Sequence, residues 1–250
     1  MTLLQATGLI LLGIIAGFIN TFAGGGSMLV VPFLIFLGLP ANVANATNRV
    51  AIFLQEIVST ATFHQKKILD FKTDYPLLLP TTLGSIAGAF TAVDIQEELL
   101  RKVIGGLLII LFFMILLDPN GWIKANADRA KARNPFIRFL VFFGIGFYGG
   151  FIQIGVGFFM LAGLVLGCGF DLLKANALKV LLILSYTLIA LAIFIYYGLI
   201  DWSTGFILSC GNMLGAWLGT RLSIRWGAKY IRYILLVALV LVSLKLFNVF

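Results

Sequence analysis

Apolar stretches approaching the length needed to cross a bilayer recur along this chain, for example at 103–117, 180–200 and 233–244. About 20 apolar residues in helical conformation cover a hydrocarbon core of roughly 30 Å. Hydrophobic residues make up 61% of the 250 positions and charged residues only 11%, more apolar surface than a soluble domain of this size can hide. The chain needs lipid as its solvent, and an α-helix satisfies its own backbone groups there. The expected fold class is therefore all-α, a polytopic membrane protein.

Charge supports this reading. The net charge of +8 does not suggest nucleic acid as a partner, because the basic residues sit in short loops between apolar spans, where they orient the chain in the membrane. The first apolar stretch, Leu3 to Phe18, has no Lys or Arg ahead of it. It lacks the charged leader of a secretory signal and reads as a retained helix. Cys168 and Cys210 stand alone in or beside apolar spans, forming neither a zinc pattern nor a disulfide framework.

The chain also repeats itself. An offset of 131 residues lays Asn45-Ala46 on Asn176-Ala177, Asp70-Phe71 on Asp201-Trp202, Gly84 and Gly88 on Gly215 and Gly219, and Arg101 on Arg232. Near the start the offset becomes 133, matching Gly13 and Gly17 to Gly146 and Gly150, and Asn20 to Gln153. The predicted organisation is a first transmembrane repeat at 1–117, a basic linker at 118–135 and a second repeat at 136–250. Each unit reads as a long apolar segment, a glycine-rich break, a short apolar arm and three long helices. The first unit places these at about 3–22, 27–38, 43–64, 74–93 and 99–117, the second at about 136–153, 157–167, 173–198, 203–221 and 230–249. At 1.5 Å per residue the arms fall short of the bilayer thickness, so each forms a broken or re-entrant hairpin with the preceding segment.

Basic residues indicate how the units face. With the linker cytoplasmic and each hairpin returning to its own side, 13 Lys and Arg fall inside and three, Arg101, Lys102 and Lys245, outside. A parallel arrangement gives nine against seven. The positive-inside rule prefers two inverted repeats with both termini outside.

The breaks are where chemistry is expected. Asn20-Thr21-Phe22-Ala23-Gly24-Gly25-Gly26-Ser27 interrupts the first unit and Gln153-Ile154-Gly155-Val156-Gly157 the second. Non-helical backbone at membrane depth persists only when buried in protein or lining a wet cavity. The N–H groups that open the following half-helix suit an anion, and glycine admits a ligand close to the backbone. On the next helix Asn45, Asn48, Arg49, Ile52, Gln55 and Glu56 share a face at spacings of three and four. Asn176, Lys179, Ile183 and Tyr186 make a weaker stripe in the other half, and the repeat lays Lys179 over Asn48, one position from Arg49, so both halves place a cation there. An Arg or Lys at the centre of a span costs about 2.5–3.5 kcal/mol on insertion scales. Arg49 either serves a site, pairs with Glu56 or snorkels to the surface; Lys179 either serves a site or snorkels.

The expected substrate-binding set is Asn20, Thr21, Gly24, Gly25, Gly26, Ser27, Asn45, Asn48, Arg49, Gln153, Gly155, Gly157, Asn176 and Lys179, with Glu56 as a candidate proton carrier. Gly84/Gly88 and Gly215/Gly219 read as packing faces, either within one protomer or between the protomers of a homodimer. His64 sits at a helix end beside Lys66 and Lys67, and Trp122, Trp202, Trp217 and Trp226 fit interfacial anchoring or packing. No nucleophile, base and orienting group share a usable spacing, no metal-ligand cluster is visible and no P-loop is present, so neither enzyme, metal nor cofactor is expected.

At this point the chain resembles the TauE/SafE sulfite exporter family. The resemblance rests on Gly17-Phe18-Ile19-Asn20 leading into Ala23 to Ser27, then Val31-Pro32, Gly38-Leu39-Pro40 and Ala46-Thr47-Asn48. It continues through Gly150 to Gly157, Asn176-Ala177, Gly198 to Trp202 and Gly215 to Gly219, and so covers nearly the whole chain. It implies a multipass inner-membrane protein that exports sulfite or a related sulfur-containing anion. The expectation from residues and resemblance together is a secondary transporter working by alternating access. An importer or channel for another solute and a non-transporting membrane scaffold are the other readings. A reporter active only in the cytoplasm should stay silent on the C-terminus and signal when inserted in 118–135; the opposite pattern would exclude the inverted topology.

Overall fold

The computed structural model describes residues 3–22, 24–69, 75–92, 113 and 134–246, with backbone only from 238 onward. Every regular element among them is helical. In chain order they are α1 (Leu3–Phe22), α2 (Ser27–Phe36), α3 (Ala41–Gln65), a 3₁₀ turn (Tyr75–Leu77), α4 (Leu78–Thr91), α5 (Pro135–Phe151), α6 (Val156–Ala162, continued by a π turn over Gly163–Gly167), α7 (Leu172–Tyr196), α8 (Trp202–Trp226) and α9 (Ala228–Leu246). The segment expected at 99–117, apart from Phe113, and the linker at 118–133 lie outside the described residues.

Local chemistry explains the boundaries. The Asp171 carboxylate accepts from the N–H groups of Leu173 and Lys174 and caps α7. Asp201 accepts from Thr204 N–H and caps α8, while Asn134 caps α5 ahead of Pro135 at its first position. The helices α2 and α7 end alike. Gly38 (φ 99°) and Gly198 (φ 67°) adopt the left-handed conformation, and the next residue's N–H returns to the last turn, Leu39 to Leu34 and Leu199 to Phe194. This Schellman closure satisfies carbonyls that the helix would otherwise strand. Pro76 sits in the 3₁₀ turn, so α4 starts at Leu78, later than the expected 74.

The long seams run between the halves of the sequence: α1 lies along α8, and α4 along α5. Both are lined by glycine. A Cβ on Gly13 or Gly17 of α1 would strike the backbone of Leu208 or Asn212, and one on Gly211 or Gly215 of α8 the carbonyls of Ile10 or Ile14. Across the other seam, Gly84 and Gly88 meet the carbonyls of Phe143 and Phe147, while Gly146 and Gly150 meet those of Thr81 and Ser85. The small-residue faces thus pack within the protomer, and the two seams use residues matched by the internal repeat. Between the seams lie α3 and α7, which pack on each other, with α3 also on α8 and α7 on α4.

Several charged and amide side chains lie inside while many large apolar ones face out. Arg49, Glu56, Lys179, Asn48, Gln55, Gln153, Asn176 and Asn212 are buried, whereas Leu3, Leu11, Ile15, Phe90, Leu188 and Phe206 are exposed. A surface of large apolar side chains around an apolar core that also encloses charged and amide groups suits lipid and is costly in water. By length and composition two described helices, α1 and α7, can cross a membrane, and only 28% of the α1 window is buried against protein. Trp202, Trp217 and Trp226 are partly exposed, with the Arg221 guanidinium 4.1 Å from the Trp217 ring centroid.

The seams make a direct prediction. Gly88→Leu would drive a side chain into the Phe147 carbonyl, and such overpacking costs about 1–3 kcal/mol or more. Gly144→Leu, with nothing within 4 Å of its Cβ, should be neutral. Thermal unfolding in detergent should separate the two, and equal melting temperatures would mean the seam is not tightly packed.

Candidate functional site

Each half contributes one break, and the two breaks touch. Gly24 (φ 81°) and Gly155 (φ 73°) both lie in the left-handed region, as does Gln153 (φ 64°), a conformation rare outside glycine. A Cβ on Gly24 would fall onto the Cα of Gly157, and one on Gly155 onto the Met28 side chain. Only bare backbone fits where the breaks cross.

Breaking a helix leaves its last carbonyls without partners, and the two buried cations occupy those positions. Arg49 of α3 spreads its guanidinium over the end of α5: Nη1 donates to Gly149 O (3.0 Å) and Gln153 Oε1 (2.8 Å), and Nη2 to Gly150 O (2.7 Å) and Phe151 O (3.4 Å). Asn45 adds a bond from Nδ2 to Phe151 O (3.2 Å), and the Phe194 ring covers the guanidinium at 4.8 Å. Lys179 of α7 does the same for α1, its Nζ donating to Asn20 O and Thr21 O, both at 2.8 Å. Each half's cation therefore closes the broken helix of the other half. Positive charge is favourable at that end of a helix dipole.

Amides organise the first break. Asn20 Oδ1 accepts from Gly26 N–H (2.7 Å), and Asn20 Nδ2 donates to Gln55 Oε1 (3.2 Å). Gln55 Oε1 also accepts from Asn212 Nδ2 of α8 (3.1 Å), and Gln55 Nε2 donates to Glu56 Oε1 (2.8 Å). Asn48 Nδ2 donates to Ser27 Oγ (3.0 Å) at the start of α2. In the second break Gln153 Nε2 reaches Thr187 Oγ1 at 3.5 Å.

A small cavity, with room for about one water molecule, opens where the breaks meet. Asn20, Gly24, Ser27, Ile52, Glu56, Gln153, Val156 and Ile183 line it, and Ile52 and Ile183 are counterparts in the repeat. Glu56 is fully buried, and its Oε2 has no hydrogen-bond partner.

Five residues expected from the sequence line the cavity: Asn20, Gly24, Ser27, Gln153 and Glu56. Thr21, Gly25, Gly26, Gly155 and Gly157 belong to the break backbone around it. Asn45, Asn48, Arg49 and Lys179 stand outside the lining, engaged with helix ends or with Ser27. Arg49 makes no ion pair with Glu56. Asn176 is fully buried with neither amide atom partnered, and it too stands off the cavity. Asn212 was missed; an amide in the middle of an otherwise apolar, glycine-rich segment was its only signal. Among the described residues no cluster of His, Cys, Asp and Glu could hold a metal ion.

The family described as Sulfite exporter TauE/SafE matches residues 9–246. The chain belongs to the TauE/SafE family. A probable membrane transporter protein of Escherichia coli strain K12, YfcA, is 33% identical over 241 residues, covering 95% of this chain and 88% of that protein. A probable membrane transporter of Sinorhizobium, ORF9, is 29% identical over 233 residues (93% and 88%), and one of Haemophilus influenzae 28% over 236 residues (94% and 91%). No solved structure matches. Membership makes this a membrane transporter, in agreement with its apolar exterior.

Removing either cation should cost stability. Lys179→Leu strands the Thr21 carbonyl, since Asn20 O keeps its bond from Gly24 N–H, and Arg49→Leu strands the Gly149 and Gly150 carbonyls and the Gln153 oxygen, since Phe151 O keeps its bond from Asn45, at about 1–3 kcal/mol for each stranded group. Arg49→Lys, which keeps the charge without the planar fork, should lose less than Arg49→Leu. Melting curves in detergent that match the native protein for both Leu variants would show that the cations do not hold the helix ends.

Proposed function

We propose that this TauE/SafE transporter exports sulfite or a related small sulfur-containing anion across the inner membrane by alternating access, with the cavity between the two breaks as the substrate site. The observation that carries this reading is the contact of Gly24 with Gly157 beside a cavity lined from both halves. A site at the junction of two related units can open to either side as the units tilt. Asn20, Ser27 and Gln153 offer hydrogen-bonding groups at the cavity wall, and the glycines let an oxyanion approach the backbone.

Arg49 and Lys179 act from one layer out. Their hydrogen bonds go to helix ends, but a buried charge in a low-dielectric interior is felt beyond its direct partners, and Lys179 is within electrostatic reach of Glu56. Asn45, Thr21, Gly25, Gly26, Gly155 and Gly157 form or hold the backbone that shapes the site, Asn48 fixes the Ser27 hydroxyl, and Asn176 keeps two buried, unpartnered amide atoms away from the cavity. Glu56, the acid in the cavity wall, is the proton carrier. The repeats at 1–117 and 136–250 are inverted about the site, with the 118–135 linker in the cytoplasm and both termini outside.

Proteoliposomes loaded with sulfite, thiosulfate, sulfate or a small sulfonate test the reading. Saturable flux with counterflow of one sulfur anion is expected, with loss of at least tenfold in Gly24→Val, which blocks the meeting of the breaks, a barrier of about 1.4 kcal/mol or more. Non-saturable flux without counterflow would indicate a channel. Retention of every anion, with capture of partner proteins, would indicate a scaffold.

A further inference from the structure

The hydrogen bonds around the first break form a continuous path from Glu56 to the backbone of the glycine turn. We infer that Gln55 is the positioning residue that links the protonation of Glu56 to the availability of the Gly26 N–H for an anion. This rests on the transport reading above and adds to it a route by which proton and anion sense each other.

Three observations support the inference. Gln55 is fully buried and uses both ends of its amide: Nε2 donates to Glu56 Oε1, while Oε1 accepts from Asn20 and Asn212. Asn20 is held by this bond, and its own Oδ1 takes the Gly26 N–H at 2.7 Å, the donor an incoming oxyanion would want. Glu56 lines the cavity and its buried Oε2 has no hydrogen-bond partner, so that oxygen is free to take a proton.

The consequence follows from hydrogen-bond strength. An ionised Glu56 makes its bond from Gln55 charge-assisted, about twice as strong as a neutral one. That grip fixes the Gln55 amide, which fixes Asn20, which covers Gly26 N–H. A proton on Oε2 leaves Oε1 a neutral acceptor and loosens the chain at its first link. Asn20 can then turn away and yield the N–H, along with its own amide donor, to the anion. Proton uptake and anion uptake become mutually favourable, as linkage requires of any such coupling. The charged and titratable groups facing Glu56 from neighbouring helices are Lys179 and Tyr186 of α7, with Arg49 two turns away on α3 itself and Tyr148 of α5 beyond Tyr186. Around Gln55, α1 and α8 present the amides of Asn20 and Asn212. The path is specific to the first half, because the position corresponding to Gln55 is Tyr186 and that to Glu56 is Thr187.

Gln55→Met keeps the shape of the side chain and removes both amide groups, and Asn212→Leu removes one donor while leaving the Glu56–Gln55–Asn20 path in place. In proteoliposomes containing a trapped pH-sensitive dye, anion flux and proton movement are measured together over a range of pH. Native protein should move protons with the anion. Gln55→Met should still move anion but lose the accompanying protons and the pH dependence of its apparent KM, whereas Asn212→Leu should keep both. Glu56→Gln should likewise lose the accompanying protons and the pH dependence. A Gln55→Met variant with the native pH profile and native proton movement would overturn the inference while leaving the transport reading intact. Native flux without proton movement would do the same. If Gln55→Met does not fold, Gln55→Glu, which adds a second acid to the path, should shift the pH profile, and an unchanged profile would equally overturn the inference. Absence of any anion flux in the native protein would remove the transport reading, and the inference with it.

Discussion

A helix that stops inside a membrane leaves carbonyl groups facing a medium that cannot hydrate them, and this fold depends on how it meets that constraint. The ends of α1 and α5 are closed by Lys179 and Arg49, each delivered by the central helix of the opposite half. Desolvating a cation and stranding a helix end are both costly, and each cost offsets the other when the two are brought together. With the ends secured, the chain can turn through Gly24 and Gly155 at the middle of the molecule. A cavity with a carboxylate in its wall can then exist beside that turn.

The crosswise closure also explains the glycine seams. For Lys179 to reach α1, and Arg49 to reach α5, the C-terminal end of the first helix of each half must come close to the central pair. Backbone-to-backbone packing of α1 on α8 and of α5 on α4 achieves this, since a single Cβ in either seam would push the helices apart. In lipid, where no hydrophobic drive brings helices together, such close contact is itself a main source of association.

Much of this was legible in the sequence. The order of the described helices is the expected one, with the segment at 99–117 apart from Phe113 outside them, and the breaks at Asn20–Ser27 and Gln153–Gly157 stand where they were expected. The stripe on α3 correctly grouped Asn48, Arg49, Gln55 and Glu56 as inward-facing. Partners were the illegible part. A cation on a polar stripe looks the same whether it awaits a ligand or closes a helix end, and the difference lies in which carbonyls come within 3 Å, a matter of tertiary placement. Asn212 escaped for the same reason, because it gains meaning only when α8 carries it to Gln55. Element ends moved by a few residues where local chemistry overrode periodicity, as with Pro76 before α4 and the Gly38 closure after α2.

The crossed arrangement makes each half incomplete without the other. One unit on its own would carry an uncapped helix end, a cation with nothing to close, and two bare glycine faces with no partner helix. Each of these deficits is met here by the other half of the chain. Carrying both units on one chain makes their encounter intramolecular, so neither half has to find a partner. The halves can then differ in chemistry: one carries the Gln55-Glu56 pair, and the other has Tyr186-Thr187 in its place.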